Sequence, residues 1–233
     1  MDEAFVAGTA GPGVLLFMDA IGLRPQLEVM ADVIASWGYV VLVPNVFWRD
    51  GVAADLAPTA DLRVPENRQA FMAGAMQRVR ALTAEQSDAD TSLWLERLRR
   101  TPGVTHGPVA AVGYCFGGRL ALRAAITHPK EFALVAMFHT GGLVTDDEAS
   151  LHNELDGLRA FVLAGHADHD RSNTAEQVAA FDAALVAAGV EHRTAIYPGA
   201  AHGFTMADTA SYDPAGAKRY QHELRQALSE RLS

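Results

Sequence analysis

The stretch PVAAVGYCFGG, Pro108 to Gly118, decides the fold of this chain of 233 residues. Its first half is a run of small apolar residues, which is typical of a parallel strand buried on both faces. A helix is predicted directly after it, over Gly117–Thr127. Glycines two residues either side of Cys115 permit a turn between strand and helix that is too tight for larger side chains. The stretch therefore predicts a strand, a sharp turn and a helix, with Cys115 in a strained conformation at the apex.

The rest of the chain repeats this alternation of buried strands and helices. Predicted strands are Val14–Met18, Tyr39–Pro44, FALVAMF (132–138), RAFVLAG (159–165) and RTAIY (193–197), and predicted helices are Gln26–Trp37, Thr174–Ala188 and Pro214–Leu232. Strands joined by helices form parallel sheets that are covered on both faces. We therefore expect one α/β domain over residues 1–233, with a doubly wound, mostly parallel sheet flanked by helices.

One segment departs from the alternation. Residues 45–107 hold a loop rich in Gly, Pro and Asp, followed by two amphipathic patterns at Glu66–Leu82 and Thr91–Arg99. We expect a short helical excursion from the sheet that partly covers the functional site.

Composition excludes several classes of protein. Hydrophobic residues make up 49% of the chain and charged residues 20%, as in a globular protein with a large core. The net charge of −9 argues against nucleic acid or an anionic membrane as a partner. The chain has one cysteine, an acidic N-terminus and only short apolar runs, so we expect a cytoplasmic protein without a signal peptide. A monomer or a small homo-oligomer is expected.

Candidate functional residues follow the predicted strands, because ligands bind beyond the carboxyl ends of the strands in such sheets. Cys115 lies at one such end, where the positive end of the following helix favours a thiolate. Asp168 follows the strand RAFVLAG, and His202 lies in the Gly-rich loop after the last strand. The order nucleophile, acid, histidine is that of an α/β-hydrolase, and it predicts a Cys115–His202–Asp168 triad.

Other interpretations of these residues remain open. Asp170 competes with Asp168, which is preferred because it is nearer the strand end. The segment HADHD (166–170) resembles a metal site, but one compact run rarely provides convergent ligands, so no metal is expected. His139 follows a strand and is interpreted as a structural histidine. Trp48 and Arg49 either line the pocket or pack the excursion.

The motifs GYCFGG, AG-x-x-D-H ending at His169, and YPGAAHGF (197–204) resemble those of the dienelactone hydrolases, also called carboxymethylenebutenolidases. The resemblance runs from about Val14 to the terminal helix and implies the α/β-hydrolase fold. It also implies that Asp19, in FMDAIG, modulates ionisation of the cysteine, and that the backbone N–H groups of Ala20 and Phe116 form an oxyanion hole. No cofactor is implied.

The resemblance is weaker for the substrate. The archetypal enzymes bind an anionic dienelactone through arginines, one of them shortly after the catalytic histidine. Met206 occupies that place here, and Arg63, Arg68 and Arg78 in the excursion are candidates for the other.

The sequence therefore predicts a hydrolase of small esters or lactones that forms an acyl-thioester on Cys115. A thioesterase or another acyl hydrolase using the same triad is an alternative. A catalytically silent or redox-sensing binding protein is another, although no second cysteine is present to resolve an oxidised thiol.

Overall fold

A computed structural model of the chain describes residues 3–232, in which seven strands form one mixed sheet. The strands are β1 Ala4–Ala7, β2 Gly13–Phe17, β3 Val40–Pro44, β4 Val109–Tyr114, β5 Phe132–Phe138, β6 Phe161–Ala167 and β7 His192–Tyr197. Their order across the sheet is β1-β3-β2-β4-β5-β6-β7. β1 pairs antiparallel with β3, and every other neighbouring pair is parallel. The predicted doubly wound sheet is confirmed.

The helices are α1 Pro25–Ala35, α2 Ala53–Leu56, α3 Pro65–Ala81, α4 Ala84–Arg100, α5 Phe116–Thr127, α6 Ala175–Ala187 and α7 Pro214–Arg231. All residues of β2, β3 and β4 are buried, because helices cover both faces of the sheet. None of the helices described here combines the length and apolar character needed to cross a lipid bilayer.

Three features differ from the sequence prediction. Strand β1 was not predicted, because four residues at a sheet edge carry too little hydrophobic pattern. The short helix α2 was also not predicted. Helix α4 begins at Ala84 rather than Thr91, since its first turns are polar and only the capping box of Thr83 and Gln86 marks their start.

Helix α4 joins the two ends of the excursion and packs on the sheet. The buried carboxylate of Asp90 accepts two hydrogen bonds from the Arg49 guanidinium and one from the Trp48 indole. Trp94 packs edge-on against Phe17 of β2, with ring centroids 6.0 Å apart. These contacts identify Trp48 and Arg49 as residues that pack the excursion. Helix α3 of the excursion lies along one wall of the cleft described below.

Candidate active site

The turn between β4 and α5 has the strained geometry that its glycines predict. Cys115 adopts φ 54° and ψ −120°, outside the regions that L residues favour. A Cβ at Gly113 would lie 2.1 Å from the Gly117 carbonyl oxygen, and one at Gly117 would lie 2.4 Å from the Met18 carbonyl oxygen. The Cys115 N–H donates to the Phe138 carbonyl at 3.0 Å, which fixes the turn to β5. The thiol is thereby presented, partly exposed, at the end of the strand.

His202 lies between the thiol and a carboxylate. Its Nε2 is 3.1 Å from Cys115 Sγ, and its Nδ1 is 2.6 Å from Asp170 Oδ2. The other oxygen of Asp170 accepts from the backbone N–H and the hydroxyl of Ser172, at 2.8 and 2.7 Å. Thiol, imidazole and carboxylate thus form a hydrogen-bonded series, which is the arrangement that nucleophilic catalysis requires.

The acid of this series is not the predicted Asp168. The Asp168 carboxylate accepts from the backbone N–H of Gly199 at 2.9 Å and does not bond His202. Strand β6 runs to Ala167, so Asp168 directly follows the strand and is bonded to the loop after β7, where its N–H donates to the Ala200 carbonyl. His169, with φ 51°, then reverses the chain and brings Asp170 against His202. The prediction of Asp168 is corrected to Asp170.

Electrostatics favour a charged imidazole. Burial alone would lower the pKa of His202, but the hydrogen bonds with Asp170 and Cys115 outweigh it and raise the pKa to about 10. Burial likewise favours the neutral form of Asp170, yet the bonds from His202 and Ser172 lower its pKa below the ordinary value. His202 and Asp170 are therefore an ion pair at neutral pH.

The predicted oxyanion donors, Ala20 and Phe116, line the same cleft as Cys115. The Phe116 N–H belongs to the first turn of α5, where N–H groups have no acceptor within the helix. A carbonyl placed at the thiol would be near this positive helix end. Their role in binding an oxyanion stays a prediction.

Asp19, which was expected to modulate the ionisation of Cys115, is bonded to an arginine. Its carboxylate accepts from the Arg24 guanidinium at 2.7 and 3.1 Å and from the Ile21 N–H at 3.0 Å. Within residues 3–232, no hydrogen bond joins it to Cys115. Asp19 nevertheless lines the cleft, and sequence reasoning missed Arg24, which carries no motif and lies just before α1.

The cleft has a volume of about 730 Å³. Besides the groups above, its walls include the α3 residues Met72, Met76 and Val79, together with Ile21, Met206 and three arginines, Arg68, Arg119 and Arg171. None of these arginines has a carboxylate within ion-pair distance among the described residues. Of the other predicted cations, Arg63 pairs with Asp61, and Arg78 lies over the rings of Phe47 and Phe71. Arg119, on the nucleophile helix, was not predicted.

The remaining histidines near the strand ends have structural surroundings. His139 is buried beside His202, with Nε2 2.7 Å from the Thr205 hydroxyl, and burial lowers its pKa well below the ordinary value. It is therefore neutral. His166 is buried against Asn173, whereas the His169 side chain is 95% exposed. The histidines of HADHD thus point to different surroundings, and no metal-binding cluster occurs among the residues that the structure describes.

Comparison with known proteins identifies a family for this chain. The model of the dienelactone hydrolase family matches residues 3–231. A Salmonella typhi protein provisionally named carboxymethylenebutenolidase is 27% identical over 211 residues, which are 89% of this chain and 73% of that protein. The carboxymethylenebutenolidase of Pseudomonas sp. strain P51 is 30% identical over 115 residues, 49% of this chain and 44% of that enzyme.

A solved structure shows the same fold. The crystal structure of a Klebsiella pneumoniae protein, provisionally named dienelactone hydrolase, superposes with a TM-score of 0.79 at 20% identity, covering 97% of this chain and 92% of that one. The family match spans almost every described residue and includes the elbow, His202 and both aspartates. The chain belongs to the dienelactone hydrolase family of the α/β-hydrolase fold and is a hydrolase of carboxylic esters or lactones.

Proposed function

We propose that this protein hydrolyses small esters or lactones through an acyl-thioester on Cys115, with His202 as the acid and base and Asp170 as the group that orients it. One observation carries the proposal: His202 bridges Cys115 Sγ at 3.1 Å and Asp170 at 2.6 Å at the apex of a strained elbow. The family membership supports the same reaction class.

In the first half-reaction the Cys115 thiolate attacks the carbonyl carbon of the substrate, whose oxygen takes up the electron pair. The N–H groups of Phe116 and Ala20 stabilise this oxyanion; loss of one such donor typically costs about 10²- to 10³-fold in rate. The carbonyl reforms as the C–O bond to the alcohol breaks. The imidazolium of His202 gives its proton to the departing alkoxide, leaving a thioester and a neutral imidazole.

In the second half-reaction neutral His202 removes a proton from water, and the resulting hydroxide attacks the thioester carbonyl. Collapse of this intermediate breaks the C–S bond and releases the carboxylic acid. The thiolate and the imidazolium are thereby restored. A thiolate is a good leaving group, so activated esters, enol lactones and thioesters are expected to react faster than amides.

A specific observation bears on the substrate. Three arginines, Arg68, Arg119 and Arg171, line the cleft and have no carboxylate within ion-pair distance in the described part of the chain. We infer that a substrate with a carboxylate group, of the dienelactone kind, is preferred over a neutral ester. A hydrogen bond to a charged group contributes about 1.5–3 kcal/mol.

The test compares a p-nitrophenyl ester of a dicarboxylic acid with its neutral methyl-capped analogue. The wild type is expected to hydrolyse the anionic ester with the higher kcat/KM, Arg119→Met to lose that preference, and Cys115→Ala to hydrolyse neither. Arg63→Met, which removes an exposed arginine outside the cleft lining, is the matched control. Turnover by Cys115→Ala at the wild-type rate would contradict the thioester mechanism and show that Cys115 has no catalytic role.

A further inference from the structure

The side chain of Arg24 is almost completely enclosed by acceptors. It is 3% exposed, and its five N–H groups are directed at two carboxylates and one carbonyl. Nε and Nη2 donate to the two oxygens of Asp208 at 2.6 and 3.1 Å. Nη1 and Nη2 donate to the two oxygens of Asp19 at 2.7 and 3.1 Å. Burial would lower the pKa of Arg24, but the two carboxylates outweigh it and raise the pKa, so the arginine is always charged.

This network joins the two loops that supply opposite sides of the reaction centre. Asp19 and Arg24 belong to the β2–α1 loop, residues 18–24, which contains the oxyanion donor Ala20. Asp208 belongs to the β7–α7 loop, residues 198–213, which contains His202. The two loops follow β2 and β7, which are not neighbours in the sheet.

The bonds involve the residues on both sides of the oxyanion donor Ala20. The Asp19 carboxylate, besides binding Arg24, accepts from the N–H of Ile21, the residue directly after Ala20. Arg24 itself is fixed at the start of α1, where its carbonyl accepts from the Leu27 N–H at 2.8 Å. The path from Asp208 to Asp19 thus runs through two bidentate contacts, and Asp19 and Ile21 flank Ala20.

We propose that Arg24 and Asp208 are positioning residues: their bridge sets the place of the Ala20 N–H relative to Cys115 and His202, and so the strength of the oxyanion hole. This inference rests on the proposed function. It assigns the bridge to acyl transfer and not to ionisation of the thiol, because Asp19 is bonded to Arg24 and Ile21 rather than to Cys115.

Asp208→Ala tests the bridge without stranding a buried charge, since it leaves a neutral Asp19–Arg24 pair and removes a carboxylate whose side chain is 30% exposed. Asp88→Ala is the matched control. Asp88 also accepts a bidentate pair of bonds from an arginine, Arg123, and its side chain is also 30% exposed, but it lies outside the cleft lining. Arg24→Lys keeps the charge but lacks the planar fork that binds two carboxylates.

Two rates are measured on each variant under single-turnover conditions. Acylation of Cys115 by a p-nitrophenyl ester needs the thiol and the oxyanion hole, whereas alkylation by iodoacetamide needs only the thiol. Asp208→Ala and Arg24→Lys are expected to slow acylation by roughly 10- to 100-fold, part of the cost of losing an oxyanion donor, while alkylation stays at the wild-type rate. Asp88→Ala is expected to change neither rate.

Equal acylation rates in Asp208→Ala and Asp88→Ala would overturn the proposed positioning role of the bridge. A parallel fall of both rates in Asp208→Ala would overturn it as well, since the bridge would then act on the thiol or on folding, and a melting curve identifies the second case. A wild type that is alkylated but never acylated would instead overturn the proposed function.

Discussion

In the proposed reaction, both proton transfers involve His202. Its two ring nitrogens have different partners, so the imidazolium donates from Nδ1 to the Asp170 carboxylate and carries its transferable proton on Nε2, which faces the Cys115 thiol. Neutral His139 packs against it with ring centroids 5.3 Å apart and adds no competing charge. The pKa of about 10 keeps the imidazole protonated until the leaving group takes the proton.

Asp170→Asn is expected to lower the pKa of His202 from about 10 toward its ordinary value of 6.5, because an amide does not stabilise the imidazolium. Ester hydrolysis should fall by roughly 10²- to 10⁴-fold, the range that general acid–base catalysis contributes. NMR titration of the histidine ring and steady-state kinetics measure the two effects. Asp168→Asn is the matched control, since an amide oxygen still accepts from the Gly199 N–H. A larger loss of ester hydrolysis in Asp168→Asn than in Asp170→Asn would support Asp168 as the acid of the triad.

The raised pKa of His202 also predicts a pH dependence. Below about pH 10 the imidazolium protonates a departing alkoxide, and above it this proton is absent. Acylation by an ethyl ester should therefore fall as the pH rises through 10, whereas acylation by a p-nitrophenyl ester, whose phenolate leaves without a proton, should not. Stopped-flow acylation rates from pH 8 to 11 measure the ratio. Identical profiles for the two esters would exclude His202 as the acid.

At the scale of elements, the β4–α5 elbow is the part whose local packing allows least change. A Cβ at Gly113 would lie 2.1 Å from the carbonyl oxygen of Gly117. That oxygen cannot move away, because Gly117 is itself packed closely against the backbone of Phe17 and Met18. Gly113→Ala is therefore expected to destabilise the fold by about 1–3 kcal/mol, the usual cost of overpacking, or more.

Urea denaturation measures this cost, and Gly74→Ala is the control. Gly74 lies in α3 with open space around its Cα, so alanine there should stabilise the protein by about 0.5–1 kcal/mol. Equal stabilities of the two variants would show that the close approach at Gly113 is not a constraint.

Hydrophobic pattern predicted most of the strands and helices, and it failed where an element is very short or begins with polar turns. The strand Val109–Tyr114 and the helix after it were predicted to within two residues, because a buried strand and an amphipathic helix leave clear periodicity. The edge strand β1 and the polar first turns of α4 leave none. The choice between Asp168 and Asp170 depended on the left-handed turn at His169, which no residue type announces.

At the scale of the whole molecule, the parallel sheet brings four separate loops to one edge. The loops after β2, β4, β6 and β7 provide Ala20, Cys115, Asp170 and His202, which are far apart in sequence. Strand-end reasoning predicted this convergence for Cys115 and His202. It could not predict Arg24, because the partner Asp208 becomes visible only when the two loops are placed together.

Acid-quenched peptide mass spectrometry tests whether Cys115 carries the acyl group during turnover. The wild type, mixed with a p-nitrophenyl ester and quenched within one turnover, should show the acyl mass on the peptide containing Cys115, the chain's only cysteine. His202→Ala should accumulate this adduct far more slowly. Ester hydrolysis by the wild type with no acyl mass on that peptide at any quench time, and at the same rate in Cys115→Ala, would exclude Cys115 as the nucleophile.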